Sequence, residues 1–173
     1  MGYTTEDVTE YVMEYHSPLG EILIAGQKEA VTGLWFKGQK YYASTLKTEY
    51  ETRNLPVLEE AASWLDGYFS GRLKEMTVPV APAGSRFRQD VWEILCGIPY
   101  GEVITYGKIA GQMAEKMGRR TMSAQAVGGA VGHNPVSILI PCHRVVGADG
   151  SLTGYAGGLD RKTWLLELEK KHA

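Results

Sequence analysis

Cys142 and His143 stand side by side in SILIPCHRVVG, residues 137–147, directly after three apolar residues and a proline. A cysteine is a nucleophile as its thiolate, and an imidazole that lowers the thiol pKa from about 8.5 can hold it in that form. Adjacency alone decides nothing, because neighbours on an extended chain point to opposite faces. A lone cysteine after an apolar stretch is also a common small hydrophobe of protein cores. A working thiol would need an acid to orient the imidazole and an open loop to admit a substrate. Glu167 and Glu169 supply acids, and GADGSLTGYAGG, residues 147–158, is a glycine-rich loop. These residues make a thiol nucleophile plausible and leave its substrate open.

The other candidates are plainer. Cys96 and Cys142 are the only cysteines, too few for a disulfide scaffold or a cysteine-rich zinc site, and no His or Cys pairs have finger spacing. No structural metal is expected. Cys96 falls on the buried side or edge of a helix with no base beside it and reads as structural. His16 and His172 read as a strand end and a solvated terminus. His133, in GHNP, reads either as a phosphate contact or as a surface histidine.

The elements that must position Cys142 follow from pattern. YVMEYH alternates, SPLG is turn chemistry, and EILIAG and AVTGLWF are apolar runs, which predicts a hairpin or small meander over residues 11–36. Leu58, Ala62, Leu65 and Phe69 recur at helical spacing, and Gly71 suits that helix's end. TVPVAPAGS reads as a linker near residues 77–84. Ser85 then caps a helix carrying Phe87, Val91, Ile94, Leu95 and Ile98 on one face. Another helix covers about 106–117, with Ile109, Met113 and Met117 on its buried side and Gly118 to stop it. Ser123 caps the next, SILI reads as a short buried strand or extended segment, and residues 159–171 form an amphipathic helix around Trp164, Leu165 and Leu168.

Composition narrows the class. With 173 residues, 44% apolar and 22% charged, the chain has the profile of a soluble globular protein of one or two domains. No apolar run reaches the roughly 20 residues that span a bilayer. MGYTTEDVTE lacks the apolar stretch of a signal peptide and, with Glu6, misses the myristoylation pattern. A cytoplasmic location is expected. Net charge is −2, but residues 1–84 hold 7 basic against 12 acidic side chains, net −5, while residues 85–173 hold 11 against 8, net +3. The second half is the one suited to a polyanion.

Two helices flanking GRRTM resemble a helix-turn-helix, although an ordinary packed pair has the same spacing. The second, SAQAVGGAVG, has almost no long side chains and two adjacent glycines, each costing about 1 kcal/mol inside a helix. Close helix packing would offset that cost. So would entry of a slim helix face into a narrow groove, such as the DNA minor groove about 6 Å wide.

ILIPCHRVVG, preceded by AVGGAVGHNP and followed by GSLTGYAGGLDRKTWLLELE, resembles the active-site region of the O6-alkylguanine-DNA alkyltransferases. The resemblance runs from Phe87 to Glu169 through FRQDVWEIL and IPYGEVITY, and more loosely through SPLGEILIA in the first half. It implies an α+β protein: a small N-terminal domain, residues 1–80, with an antiparallel, ribonuclease-H-like sheet plus helix, and a mainly helical domain, residues 85–173, with a winged helix-turn-helix. Cys142 matches the thiol that accepts the alkyl group, His143 the histidine that deprotonates it through a water, Glu169 the acid that holds the histidine, and Asn134 the asparagine that braces the site. Tyr106 matches the tyrosine that donates to the leaving guanine. Tyr155, Ala156 and Val145 fall in the base pocket, with Ala156 where the family often has serine. Ser123, Gln125, Ala126, Gly129, Arg119, Arg120 and Arg144 fall among the DNA contacts. Gln125 stands where many members have an arginine that fills the hole left by the extruded base.

The implied reaction is a single irreversible transfer of an alkyl group, mainly methyl, from guanine O6, with thymine O4 as a further candidate, in double-stranded DNA to Cys142. It uses no cofactor, no membrane and one protein molecule. Two rivals remain. A damage-binding alkyltransferase-like protein would have Cys142 replaced, commonly by tryptophan. A thiol hydrolase using Cys142 and His143 would need an oxyanion hole and turnover on an acyl substrate.

Overall fold

The computed structural model describes residues 9–173. The leader and acylation readings at the N-terminus fall largely on residues 1–8, outside the described residues. The predicted meander is present as β1 (Glu10–Ser17), β2 (Gly20–Gln27) and β3 (Ala30–Phe36), antiparallel with Tyr15 opposite Ile22 and Leu23 opposite Trp35. SPLG makes the first turn, where Ser17 Oγ donates to Gly20 O and accepts from Leu19 N. A fourth strand, β4 (Tyr50–Thr52), pairs parallel to β1, so the order is β3-β2-β1-β4 and the sheet is mixed rather than antiparallel. Three exposed residues with no alternation carry no strand signal.

Period-two alternation sorts the sheet's side chains onto two faces. Ile22, Ile24, Leu34 and Phe36 join the main core, while Val12, Ala25 and Trp35 form a small cluster with Leu46 on the other side. The helix α1 (Pro56–Phe69) lies on the main-core face, starting on Pro56 and giving way at Gly71, whose φ is +79°. Leu58 and Leu65 are buried as expected. Val57, Ala61, Trp64 and Tyr68 complete the stripe, whereas Ala62 and Phe69 sit at its margin.

The segment read as a linker is pinned. Val31 N donates to Pro79 O at 2.9 Å and Ala81 N to Val31 O at 2.8 Å, so residues 79–81 run along the outer edge of β3. Beyond it the chain is mainly helical: α2 (Arg86–Cys96), α3 (Tyr106–Lys116), α4 (Ala124–Gly132) and α5 (Leu159–His172), with two short parallel strands, β5 (Ile104–Thr105) and β6 (Val145–Val146). Ser85 caps α2 by accepting from Arg88 N, and α2 and α3 both pack on α4. Gly118, φ +66°, ends α3, but Met117 is exposed rather than on the buried face, where Ala110 and Ala114 sit instead.

The edge of β3 also reaches the reactive segment. Leu34 N donates to Pro135 O at 2.8 Å and Ser137 N to Leu34 O at 3.0 Å. Only Val136 bridges to the sheet. SILI is therefore not a strand: it folds back as a tight turn in which Ile138 has φ +70° and Ile140 N donates to Val136 O. No helix of the described residues is long and apolar enough to cross a membrane.

Candidate active site

The turn that carries Cys142 is held from inside. Asn134, buried, donates from Nδ2 to Ile140 O at 2.9 Å and accepts at Oδ1 from Val136 N at 3.0 Å. Ile138 is β-branched, and a left-handed backbone there costs about 1–3 kcal/mol unless its surroundings over-determine it. The Asn134 bonds and the β3 edge do so. The chain then winds a 3-10 turn (Cys142–Arg144), with all three side chains buried. The extended-chain reading of Cys142 and His143 is thereby corrected, since one tight turn turns both residues inward.

Around that turn a charged network closes on Glu169. His143 Nε2 lies 2.6 Å from Glu169 Oε2, and neither side chain is exposed. Arg144 donates from Nε to Oε1 at 2.7 Å, from Nη2 to Oε2 at 3.0 Å and from Nη1 to Ile98 O at 2.6 Å. Tyr68 Oη donates to Oε2 at 2.6 Å, and Gly101 N to Oε1 at 3.2 Å. Burial would raise the Glu169 carboxyl, but the hydrogen bond from His143 and the hydrogen bonds and charge of Arg144 outweigh that and hold it well below the usual range. It is ionised. Burial, reinforced by the Arg144 and Lys162 cations, pushes the His143 imidazole below its ordinary value despite Glu169, so it rests neutral. An ionised carboxylate accepts, which places the imidazole proton on Nε2. Nδ1 is then the basic nitrogen, and it has no protein hydrogen-bond partner among the described residues. Arg144, expected among the DNA contacts, turns inward to hold Glu169 and is 8% exposed. Glu167 is exposed, so Glu169 is the acid of this site.

The thiol does not carry the depressed pKa that a ready-made thiolate requires. Burial pushes Cys142 up, against a hydrogen bond from Asn134 and the charge of Lys162. At rest it is protonated beside a neutral base. Lys162 is a functional candidate that the sequence reading missed. It is fully buried, its Nζ donates to Val145 O at 2.6 Å and Thr153 O at 2.8 Å, and burial lowers its pKa to about 8. A lysine on the same helical stripe as Leu165 and Glu169, at i, i+3 and i+7, was the available signal. Tyr68 was missed as well, and an aromatic in WLDGYF carries no signal beyond core packing.

A pocket of about 250 Å³ is lined by Gly128, Gly132, His133, Tyr155, Ala156 and, from the first half, Tyr41. Tyr106, at the head of α3, donates from Oη to Thr153 O at 3.1 Å. Burial and the nearby Cys142 keep its hydroxyl protonated above the usual range, against the Thr153 bond. Burial does the same for Tyr155. Val145 does not line the pocket: its side chain is in the core and its carbonyl holds Lys162.

On the outer face, Ser123 Oγ accepts from Gln125 N at 3.1 Å and Ala126 N at 3.2 Å, fixing the start of α4. Ser123, Gln125, Ala126 and Gly129 are exposed on it, and Arg119 and Arg120 are exposed just before it. Protein packing does not account for its glycines. A Cβ on Gly129 or Gly132 would meet nothing within 4 Å, and one on Gly128 only Tyr106 at 4.0 Å. His133 Nδ1 bonds Gly129 O at 2.7 Å and its ring stacks on Tyr41. Cys96 is exposed at the end of α2, not buried. Among the described residues no cluster of three His, Cys, Asp or Glu could hold a metal ion.

Residues 11–82 match the ribonuclease-like domain of 6-O-methylguanine DNA methyltransferase, and residues 86–171 match that enzyme's DNA-binding domain. A methylated-DNA–protein-cysteine methyltransferase of Mycolicibacterium paratuberculosis is 44% identical over 91% of this chain and 90% of its own. One of Methanosarcina barkeri is 44% identical over 90% and 94%. A crystal structure described as Mycobacterium tuberculosis OGT in complex with DNA superposes with a TM-score of 0.80 at 41% identity, covering 95% of this chain and 94% of that one.

Proposed function

Because the chain belongs to the methylated-DNA–protein-cysteine methyltransferase family, we propose that it repairs DNA by moving an alkyl group, mainly methyl, from guanine O6 in a duplex onto Cys142. The observation that carries this reading is the protonated Cys142 thiol buried beside a neutral His143 that Glu169 holds at Nε2. That arrangement suits a nucleophile made on demand. The thiol proton passes, through a bridging water, to His143 Nδ1. The sulfur then forms a bond to the alkyl carbon as the carbon–O6 bond breaks, and its electron pair goes to the guanine. Tyr106, which keeps its proton, donates to the leaving base. The product thioether is stable, so each molecule acts once.

Access requires the base to leave the stack at a cost of a few kcal/mol, less for a damaged base with weakened pairing. The exposed, slim α4 is the element suited to a minor groove about 6 Å wide. Its glycines, with no protein packed against them, support that use. In this reading Gln125 follows the extruded base, Ser123, Ala126 and Gly129 face the groove, and Arg119 and Arg120 contact phosphates; all are exposed. Tyr155 and Ala156 form the base pocket. The two domains, 1–80 and 85–173, act together in a cytoplasmic monomer.

Mass spectrometry after incubation with O6-methylguanine duplex is the test. One added methyl on the Cys142 peptide, at one equivalent per protein, is the expected result. An unmodified peptide with retained DNA binding would replace this reading with damage recognition alone, and catalytic cleavage of an acyl ester with a thiol hydrolase.

A further inference from the structure

The N-terminal half reaches His143 and Glu169 through Tyr68. Tyr68, the penultimate residue of α1, is fully excluded from solvent, with its ring stacked on Trp64 and edge-on to Tyr100. Its hydroxyl ends 2.6 Å from Glu169 Oε2 and 3.5 Å from His143 Nε2. It therefore donates to the same carboxylate oxygen that receives the imidazole proton.

We propose that Tyr68 is a positioning residue of the alkyl transfer, through which the N-terminal domain fixes the His143 tautomer by clamping Glu169 Oε2. This rests on the alkyl-transfer reading and deepens it. A carboxylate oxygen is free to swing unless its other lone pairs are engaged, and an imidazole with a wandering partner divides its proton between Nε2 and Nδ1. Only the Nε2–H form leaves Nδ1 able to take the thiol proton. Arg144 fixes the opposite oxygen and the edge of the carboxylate. Tyr68 supplies a further donor to Oε2 from the far domain, and a phenol held well above its usual pKa remains a donor across the working range. The groups that face His143 from the elements around it are Glu169 and Lys162 of α5, Arg144 and Cys142 of the 3-10 turn, Tyr68 of α1, and the Tyr100 ring beneath Arg144.

Losing the phenol donor has a definite sign. The unclamped Glu169 carboxylate then swings from His143 and acts less strongly on it, so the imidazolium is disfavoured and the acid limb of the rate profile moves to lower pH. The experiment uses the full chain with Tyr68→Phe, and Tyr100→Phe as a comparison that also removes a buried phenol oxygen. The affinity for O6-methylguanine duplex, the first-order transfer constant against pH, and the imidazole ¹⁵N shifts of the free protein are measured. Tyr68→Phe is expected to keep the duplex Kd, to slow transfer about tenfold, to move the acid limb downward and to mix Nδ1–H into the tautomer. Tyr100→Phe is expected to match the parent. A Tyr68→Phe protein with parental rate, profile and tautomer overturns the proposal. So does a slower one whose tautomer is unchanged and whose rate falls only with its thermal stability. Should the parent itself move no methyl group, the function fails, while the ¹⁵N comparison still decides what Tyr68 does.

Discussion

His143 Nε2 and Glu169 Oε2 meet at 2.6 Å in a site where neither side chain touches solvent. Five donors converge on the two oxygens of Glu169: His143, Tyr68 and Arg144 on one, Arg144 and Gly101 on the other. Such a carboxylate anchors Arg144 as much as it orients His143. It is what allows Arg144 to be buried, and what allows an imidazole between two cations to keep its proton on the nitrogen away from the thiol.

Glu169→Gln should therefore damage stability and chemistry together. It leaves the Arg144 guanidinium buried without a counter-charge, which costs about 3–5 kcal/mol. Urea unfolding followed by fluorescence measures it. The pH dependence has a fixed sign. The folded carboxyl lies below its ordinary value of 4.5, so its contribution is present above that value and is lost as pH falls beneath it. The glutamine variant should lose that part of the acid slope. Equal slopes in the two proteins would remove Glu169 as its source.

Lys162 makes a separate prediction. Its charge acts on the Cys142 thiol and favours the thiolate. Lys162→Met keeps the length of the side chain and removes the charge, so the thiol should titrate higher and transfer should slow about tenfold for each pKa unit gained. The pH profile of Cys142 alkylation by a small electrophile reads this without DNA. The same lysine also affects stability. Its folded pKa of about 8 lies below the unfolded 10.5, so burying the charge is a penalty that is full below pH 8 and is relieved as pH rises toward 10.5.

What could be read from the sequence follows a physical division. The meander and the five helices announced themselves because alternation, caps at Ser85 and Ser123, and stops at Gly71 and Gly118 are local properties. Cys142, His143 and Glu169 were legible because their spacing resembles a known pattern. Arg144 was misread because a basic residue beside a reactive centre looks like a phosphate contact until its carboxylate partner, 25 positions away, is seen. Tyr68 lies 101 positions from Glu169, and no local pattern encodes that contact. The turn at Ile138 was hidden for a related reason. Its left-handed backbone depends on Asn134 and on the edge of β3, and its apolar residues alone look like a strand.

Gln125→Arg tests the DNA-facing end of α4. Glutamine can enter the stack and hydrogen-bond there but carries no charge, so the native protein should hold DNA with a weaker electrostatic grip. The arginine variant should bind duplex more tightly, and the slope of log K against log salt should steepen by about 0.9 for the one added phosphate contact. Fluorescence anisotropy across a salt series measures both. Unchanged affinity, slope and transfer rate would mean that this position does not meet DNA.

Gly129 separates the two explanations for a glycine-rich helix. If its purpose were tight packing inside the protein, any side chain there would clash and destabilise the fold. A Cβ at that position meets nothing within 4 Å. Gly129→Leu should instead stabilise α4 by about 0.5–1 kcal/mol, because glycine is a poor helix former. The same side chain projects from the exposed face and should obstruct a groove only about 6 Å wide, so affinity for duplex DNA should fall at least about tenfold. Gly129→Ala, with a single methyl, should gain most of the stability and lose little of the binding. Thermal unfolding and anisotropy on the same samples give the pair of numbers. Stability and affinity moving in opposite directions identify a helix kept slender for an external groove, whereas a fall in both would return its glycines to a packing role.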